Sequence, residues 1–331
     1  MTPYQRPYNA HMTPAAVHPY VGSVLFHRAL HNNIDRRPLI IMYKYTIVMD
    51  TKQILLVNDV VGYSHVGMVA MLPILTYMGH RIYNLPTALV SNTLDYGQFA
   101  KQDTTEYMRQ TIPVWRRLGF RFDAVCTGLM FSDEQAHLVS AYCSQLRSEG
   151  TLVFVDPIMG DGGRLYNGVG NSQVELMREM VAVADLTIPN YTEACYLTGT
   201  PWKADGISWN EAVAMLDRLV AIGARAALVT SARVDGKTCV IGRRSGERVE
   251  GMRQRQSEGP YFRIDYDELP RAFHGTGDIF SAVLIGHIMR GEPLRESTRT
   301  AMDVVSRLIE RNIDQEDLCL GIPIERSLDL L

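Results

Sequence analysis

An α/β fold built on a mostly parallel sheet is what this sequence predicts, on three observations. After residue 52, short apolar runs alternate with longer helical patterns. The runs are apolar throughout, as in strands buried on both faces. Helix start and stop signals lie between them. Strand–helix alternation of this kind implies a parallel sheet covered by helices on both faces.

The first strand reads Gln53–Asn58. A helix over Val66–Met78 follows, carrying Pro73, which removes one backbone hydrogen bond and bends the helix. Further strands read Arg81–Leu85, Ala124–Thr127, Leu152–Asp156, Leu186–Ile188 and Ala226–Thr230. Ser132-x-x-Gln135, Ser172-x-x-Glu175 and Ser208-x-x-Glu211 have the form of capping boxes. Gly150, Gly199 and Gly223 are the matching stop signals. After Thr230 the pattern changes: Lys237–Gly242 and Gly259–Tyr266 read as antiparallel strands that extend one edge of the sheet. Two strongly apolar helices, Asp278–Arg290 and Arg295–Asn312, complete the pattern.

Residues 51–331 show no internal repeat or linker and read as one domain. Residues 1–50 are rich in Pro, His, Tyr and Asn and have no sustained period. They read as a disordered or mis-assigned N-terminal extension. They lack the basic–apolar–small order of a signal peptide.

Composition narrows the class. A formal net charge of −3 gives no electrostatic reason to expect nucleic acid or an anionic membrane. Arg116-Arg117 and Arg243-Arg244 read as solvated faces. No apolar run reaches the roughly 18 residues of a membrane-spanning helix. The five cysteines are odd in number and form no C-x-x-C pair, which argues against a zinc site or a disulfide framework. Scattered reduced thiols fit a cytoplasmic protein.

Four segments carry chemistry. Gly275-Thr276-Gly277-Asp278 opens an apolar helix. Its glycines allow a tight turn with inward N–H groups, and the helix start adds partial positive charge, a pocket suited to a phosphoryl group. Asp278 at its edge is placed to take a proton from an attacking hydroxyl; the plainer reading is a helix cap. Asp156-Pro157-Ile158-Met159-Gly160-Asp161-Gly162-Gly163 begins where a buried strand ends, the edge where open α/β sheets bind ligands. Asp156 there can orient magnesium through water, against a plain acidic turn. Pro189-Asn190-Tyr191-Thr192-Glu193 also follows a strand, and Glu193 suits a helix N-terminus on dipole grounds alone. Asn58 to Gly67 occupies the first strand–helix turn but lacks G-x-G-x-x-G, which disfavours a nicotinamide dehydrogenase. No G-x-x-x-x-G-K-[ST] occurs, which disfavours a Walker-type NTPase. All these segments should meet at one edge of the sheet.

Taken in order, Asp-Pro-Ile-Met-Gly-Asp at 156–161, Pro-Asn-x-x-Glu-Ala at 189–194 and Gly-Thr-Gly-Asp at 275–278 resemble the pyridoxal kinase branch of the ribokinase-like superfamily. The 58–67 turn and Leu85-Pro-Thr-Ala-Leu-Val-Ser-Asn92 with Tyr96-Gly97 resemble the same branch, so the likeness spans about residues 52–312. It implies a three-layer α/β/α fold. It also implies ATP-dependent phosphorylation of the 5′-hydroxymethyl group of a vitamin B6 vitamer. On that likeness Asp278 would be the base and Gly275, Thr276 and Gly277 the anion hole. Asp156 and Glu193 would serve Mg2+ and the phosphates, through water. Ile188, Asn190 and Thr230 would line the ATP side. Asp59, Leu94 and Asp95, together with Asp278, would meet the substrate. A monovalent cation and a homodimer are further family traits.

Two positions depart from the family pattern. Better-known members carry serine at the position of Asp59 and a polar residue at that of Leu94. An acidic Asp59 would suit a positively charged aminomethyl substrate or a different heterocycle. The alternatives are a kinase for another hydroxymethyl heterocycle, such as the thiamine-precursor pyrimidine, and a catalytically silent protein that binds B6 vitamers or nucleotide. The intact Asp278 argues against the second. A chain beginning at Met49 is expected to keep its melting temperature, which thermal unfolding of both forms would check.

Overall fold

The structure, a computed structural model, describes residues 51–166, 170–244 and 259–331. Residues 1–50, read above as an extension, lie outside the described residues. The elements in chain order are β1 (Gln53–Val57), β2 (Val60–Tyr63), α1 (Met68–Tyr77), β3 (Arg81–Asn84), β4 (Ala88–Asn92), β5 (Lys101–Asp103), α2 (Thr105–Leu118) and β6 (Ala124–Thr127). Then come α3 (Asp133–Ser148), β7 (Leu152–Val155), the two-residue strands β8 (Gly160–Asp161) and β9 (Arg164–Leu165), α4 (Asn171–Ala182), β10 (Leu186–Thr187) and α5 (Tyr191–Thr198). The chain continues with α6 (Trp209–Ile222), β11 (Ala226–Val234), β12 (Lys237–Arg243), β13 (Tyr261–Asp265), α7 (Thr276–Met289) and α8 (Leu294–Arg311).

Eight strands form the central sheet in the order β13-β12-β11-β10-β7-β6-β1-β3. From β11 to β3 all neighbours are parallel. β12 and β13 extend the β11 edge antiparallel. The expected architecture is therefore present. Its cause is visible in β1, where successive side chains point to opposite faces. Leu55 and Val57 join the core under α2 to α6, while Ile54 and Leu56 join the core under α1, α7 and α8. Both faces of the strand are dry, so its sequence cannot alternate.

Local signals met mixed outcomes. Ser208 and Glu211 form a reciprocal capping box. Ser132 caps α3, but Gln135 reaches past it to the amide of Phe131. Ser172 lies inside α4, which starts at Asn171, so its box does not form. Gly199 closes α5 instead of α4, because a further strand and helix intervene. Arg243 pairs with Asp217 at 3.1 Å and Arg244 lies buried over the Phe262 ring, so that pair is not a solvated face. Pro73 sits within α1 as expected. That helix starts at Met68 because Gly67 is held at φ +58°.

The sequence reading did not anticipate β2, β4 and β5. They form a separate three-stranded sheet beside the main one, with Val61, Ala88 and Val90 as its small core. Between β11 and β12 the register shifts at Thr230 and Ser231, and Ser231 takes φ +54°. This irregularity opens the sheet edge where a ligand would enter.

Asp185 anchors the opposite side of the sheet. It is fully buried, accepts the Val153 amide at 2.9 Å and pairs with Arg147 at 3.3 Å and Arg225 at 2.5 Å. Asp185→Ala strands two guanidinium groups and one amide, and is expected to cost about 3 kcal/mol of stability. Urea unfolding of the variant would measure it.

Candidate active site

The carboxyl ends of β7, β10 and β11 and the start of α7 surround a cleft of about 640 Å³. Gly275 sits just before α7 with φ +78°, and a Cβ there would lie 2.5 Å from the His65 carbonyl oxygen. Only glycine fits. The first-turn amides after it have no partner one turn back in the helix, and the residues that bear them line the cleft. The helix dipole adds positive potential at the same point.

Asp278 stands in this first turn. Its Oδ2 accepts the Gly67 amide at 2.8 Å and its Oδ1 accepts the Asn58 Nδ2 at 3.2 Å. Asn58 is fixed in turn, because its Oδ1 accepts the amides of Asp59 at 3.0 Å and Leu129 at 2.9 Å. Burial raises the pKa of Asp278, while the Gly67 and Asn58 donors pull it back. Asp278 is thus oriented by neutral donors and is not a cap for its own helix.

Asp156 follows β7. Its Oδ2 accepts Ser281 Oγ at 3.1 Å, one turn along α7 from Asp278. Burial, then the nearby charge of Asp278, push it up to about 7. Asp59, at the end of β1, is also pushed up to about 7 by burial and by Asp278. A Cβ on Gly67 would lie 2.5 Å from Asp59 Oδ1, so Asp59 and Asp278 meet at the same glycine.

Glu193 and Asn190 form a reciprocal capping box at the start of α5. Glu193 Oε2 accepts the Asn190 amide at 2.8 Å, and its Oε1 accepts the Met159 amide at 3.0 Å. Asn190 Nδ2 donates to the Gly160 carbonyl at 2.8 Å. The pair therefore ties the 156–161 turn to α5. Burial, then Asp156, hold Glu193 well above the usual carboxylate range.

Asp156, Ile188, Asn190, Glu193, Thr230, Gly275, Thr276, Gly277 and Asp278 all line this one cleft. Asp59 joins it through Gly67 and Asp278. Leu94 and Asp95 do not line it: they sit on an exposed 3-10 turn, Leu94–Tyr96, from which Asp95 reaches His274 at 3.1 Å. Sequence reasoning missed Asn58 and Ser281 as side chains that orient the carboxylates. It also missed the apolar wall of Val240, Ile264, Met302, Val305 and Ile309. In sequence these apolar residues look like any strand or helix core. Asn58 alone had a signal, since a buried amide directly after an apolar strand needs several partners.

A family model described as phosphomethylpyrimidine kinase matches residues 67–320. The chain is 30% identical over 255 residues to a pyridoxine/pyridoxal/pyridoxamine kinase of Bordetella avium, covering 74% of this chain and 80% of that protein. It is 28% identical over 275 residues to the pyridoxal kinase PdxY of Rubrobacter xylanophilus, covering 78% and 87%. A Bacteroides thetaiotaomicron protein, described provisionally as a phosphomethylpyrimidine kinase and crystallised with pyridoxal, superposes with a TM-score of 0.75 at 32% identity, covering 85% of this chain and 96% of that one. The pyridoxal kinase of Lactobacillus plantarum superposes at 0.72 with 26% identity, covering 84% and 95%.

Asp59 and Asp156 keep their protons to about pH 7 when folded, against 3.8 for the free side chain. Between these values the folded state binds more protons than the unfolded one. The stability they contribute is therefore full at the acid end and is lost as pH rises toward 7. The ligand-free protein is expected to lose stability across that window. Asp59→Asn should flatten the slope and raise the melting temperature at neutral pH. Urea unfolding repeated across pH reads both effects.

Proposed function

The chain belongs to the family of phosphomethylpyrimidine and pyridoxal kinases, and from that premise we propose that it transfers the γ-phosphoryl group of ATP to the 5′-hydroxymethyl group of a vitamin B6 vitamer. The observation that carries this reading is the Asp278 carboxylate, oriented by Gly67 and Asn58 beside the open amides of α7.

In this reading the acceptor hydroxyl docks against Asp278. Its oxygen attacks the γ-phosphorus as its proton passes to Asp278, the bond to the β-phosphate bridging oxygen breaks, and ADP leaves. The amides of Gly275, Thr276 and Gly277 meet the charge on the equatorial oxygens. The apolar wall of Val240, Ile264, Met302, Val305 and Ile309 suits a purine base, with Ile188, Asn190 and Thr230 on the phosphate side. Mg2+ fits the acidic donors here. Asp156 has one oxygen engaged by Ser281, and both Glu193 oxygens already accept amides, so Glu193 would reach a cation through water. When bound, Mg2+ would offset phosphate charge.

Asp59 and the Leu94–Asp95 turn would form the acceptor end. The carboxylate at Asp59 favours an acceptor that carries positive charge. The same residue supports a second reading, in which the acceptor is another hydroxymethyl heterocycle such as a pyrimidine. We place the protein in the cytoplasm, a reading in keeping with four buried free thiols. We read it as a homodimer, supported by the apolar side chains of Tyr63, Leu89 and Phe99, 61%, 49% and 48% exposed on and beside the small sheet.

A coupled ADP-release assay with Mg-ATP against pyridoxal, pyridoxamine, pyridoxine and hydroxymethylpyrimidine tests the proposal. Turnover on a vitamer far above the pyrimidine supports it, and turnover on the pyrimidine alone replaces it. Asp278→Ala is expected to lower kcat by about 10²–10⁴-fold while ATP still binds; near-normal turnover would remove Asp278 as the base.

A further inference from the structure

The chain beyond α8 lies outside every motif that points to chemistry, yet it is hydrogen-bonded to Ser64, His65, Thr93 and Tyr96. Asp317 shapes a turn over residues 317–321. Its Oδ1 accepts the amides of Cys319 at 3.0 Å and Leu320 at 3.3 Å. Two amides of the turn therefore rest on one carboxylate oxygen, while Gln315 Nε2 donates to the Asp317 and Gly321 carbonyls and the Gly321 amide to that of Leu318. The other oxygen, Oδ2, accepts the Tyr96 hydroxyl at 2.5 Å. That bond raises the pKa of the Tyr96 hydroxyl to about 12.

Three separate segments hang from the carbonyls of this turn. Leu320 accepts the His65 amide at 2.8 Å and Ser64 Oγ at 3.0 Å. Cys319 accepts Ser64 Oγ at 2.9 Å and Thr93 Oγ1 at 3.3 Å. Leu318 accepts the His274 amide at 3.2 Å. Gly321 closes the turn at φ +75°, and a Cβ there would lie 2.7 Å from the His65 carbonyl oxygen and 3.1 Å from that of His274.

Each suspended segment leads directly to a working group. Ser64 and His65 run into Gly67, whose amide orients Asp278. Thr93 opens the turn that bears Leu94 and Asp95. His274 immediately precedes Gly275 and the phosphoryl cradle, and it also pairs with Asp95 at 3.1 Å. A single turn thus sets the spacing between the base, the acceptor loop and the anion hole. Among the described residues, Ile188, Asn190 and Thr230 make no hydrogen bond to it.

We propose that Asp317 is a positioning residue for the acceptor end of this site, acting through the 317–321 turn on the 64–67, 93–96 and 274–278 segments. The inference rests on the reading of Asp59 and the 94–95 turn as the place where the acceptor binds. Asp317 itself is exposed and takes no part in the chemistry.

Steady-state kinetics of Asp317→Ala, Asp317→Asn, Tyr96→Phe and the double variant Asp317→Ala/Tyr96→Phe test this, with the vitamer that the wild type turns over fastest. A misplacement of this kind should raise the acceptor KM of Asp317→Ala about tenfold and lower kcat several-fold. The KM for ATP should stay within about twofold of wild type. Asp317→Asn keeps an oxygen for the two turn amides and should recover most of the loss. The double variant should add little to Asp317→Ala alone, since the Tyr96 bond needs Asp317. An unchanged acceptor KM overturns the proposal, as does a parallel rise in the KM for ATP or an Asn variant no better than Ala. Amide hydrogen exchange supplies a readout that does not depend on the substrate. In Asp317→Ala, exchange should quicken at 64–67 and 274–277 and not at 188–193; unchanged protection at the first two segments overturns the proposal. Wild-type turnover is the control: its absence on every B6 vitamer refutes the B6 assignment, while the exchange result still decides the role of Asp317.

Discussion

The hydrogen bond from the Gly67 amide to the Asp278 carboxylate joins two parts of the chain 211 residues apart, and much of the site depends on it. A buried carboxylate has to be met by donors or it will not stay charged. Here the donors are a backbone amide and the Asn58 side chain, so the first strand–helix turn must bring both to one point. That requirement puts Gly67 in the left-handed region and delays the start of α1. It also presses the His65 carbonyl against Gly275, where no side chain fits. The packing of α1 and α7 in one core cluster holds the two ends of the bond in register.

Charge tells the same story in a second way. Asp185 and the site carboxylates are all buried acids in one domain. Asp185 has two arginines beside it. Asp59, Asp156, Glu193 and Asp278 form no ion pair among the described residues, and all four are raised above the usual carboxylate range, with burial as the first cause. On the proposed reading, a metal–nucleotide complex and a hydroxyl proton would meet these carboxylates in place of protein cations.

The cleft wall comes from β12, β13 and α8, where apolar side chains of ordinary appearance meet the first turn of α7. On the proposed reading the nucleotide would lie along this wall, and the acceptor would approach Asp278 from the side of Asp59, with the Leu94–Tyr96 turn and the 317–321 turn outside the cleft lining. The irregular register at Thr230 and Ser231 opens the sheet edge on the nucleotide side.

Elements whose neighbours in sequence are also their neighbours in space were legible in the sequence alone. Five buried strands, the antiparallel edge, the Ser208 box and the turns at Asp156, Asn190 and Gly275 carry local signatures in burial, capping or glycine content; β3, read as buried, is instead the largely exposed edge strand. Their convergence followed from the topology of a parallel sheet, which puts strand ends on one edge. The tertiary structure alone decided the rest. Asn58, Ser281 and Asp317 act through partners 220, 125 and 221 residues distant, Asp278, Asp156 and Tyr96. In the second sheet β2 and β5 are brief and largely exposed, and β4 alternates buried and exposed side chains over only five residues. Ser172 fits a capping box as well as Ser208 does, but the helix cap is Gly170, so α4 starts two residues earlier than that box requires. A local pattern states what a segment can do; which of those options is realised depends on the groups that the rest of the fold leaves in need of a partner.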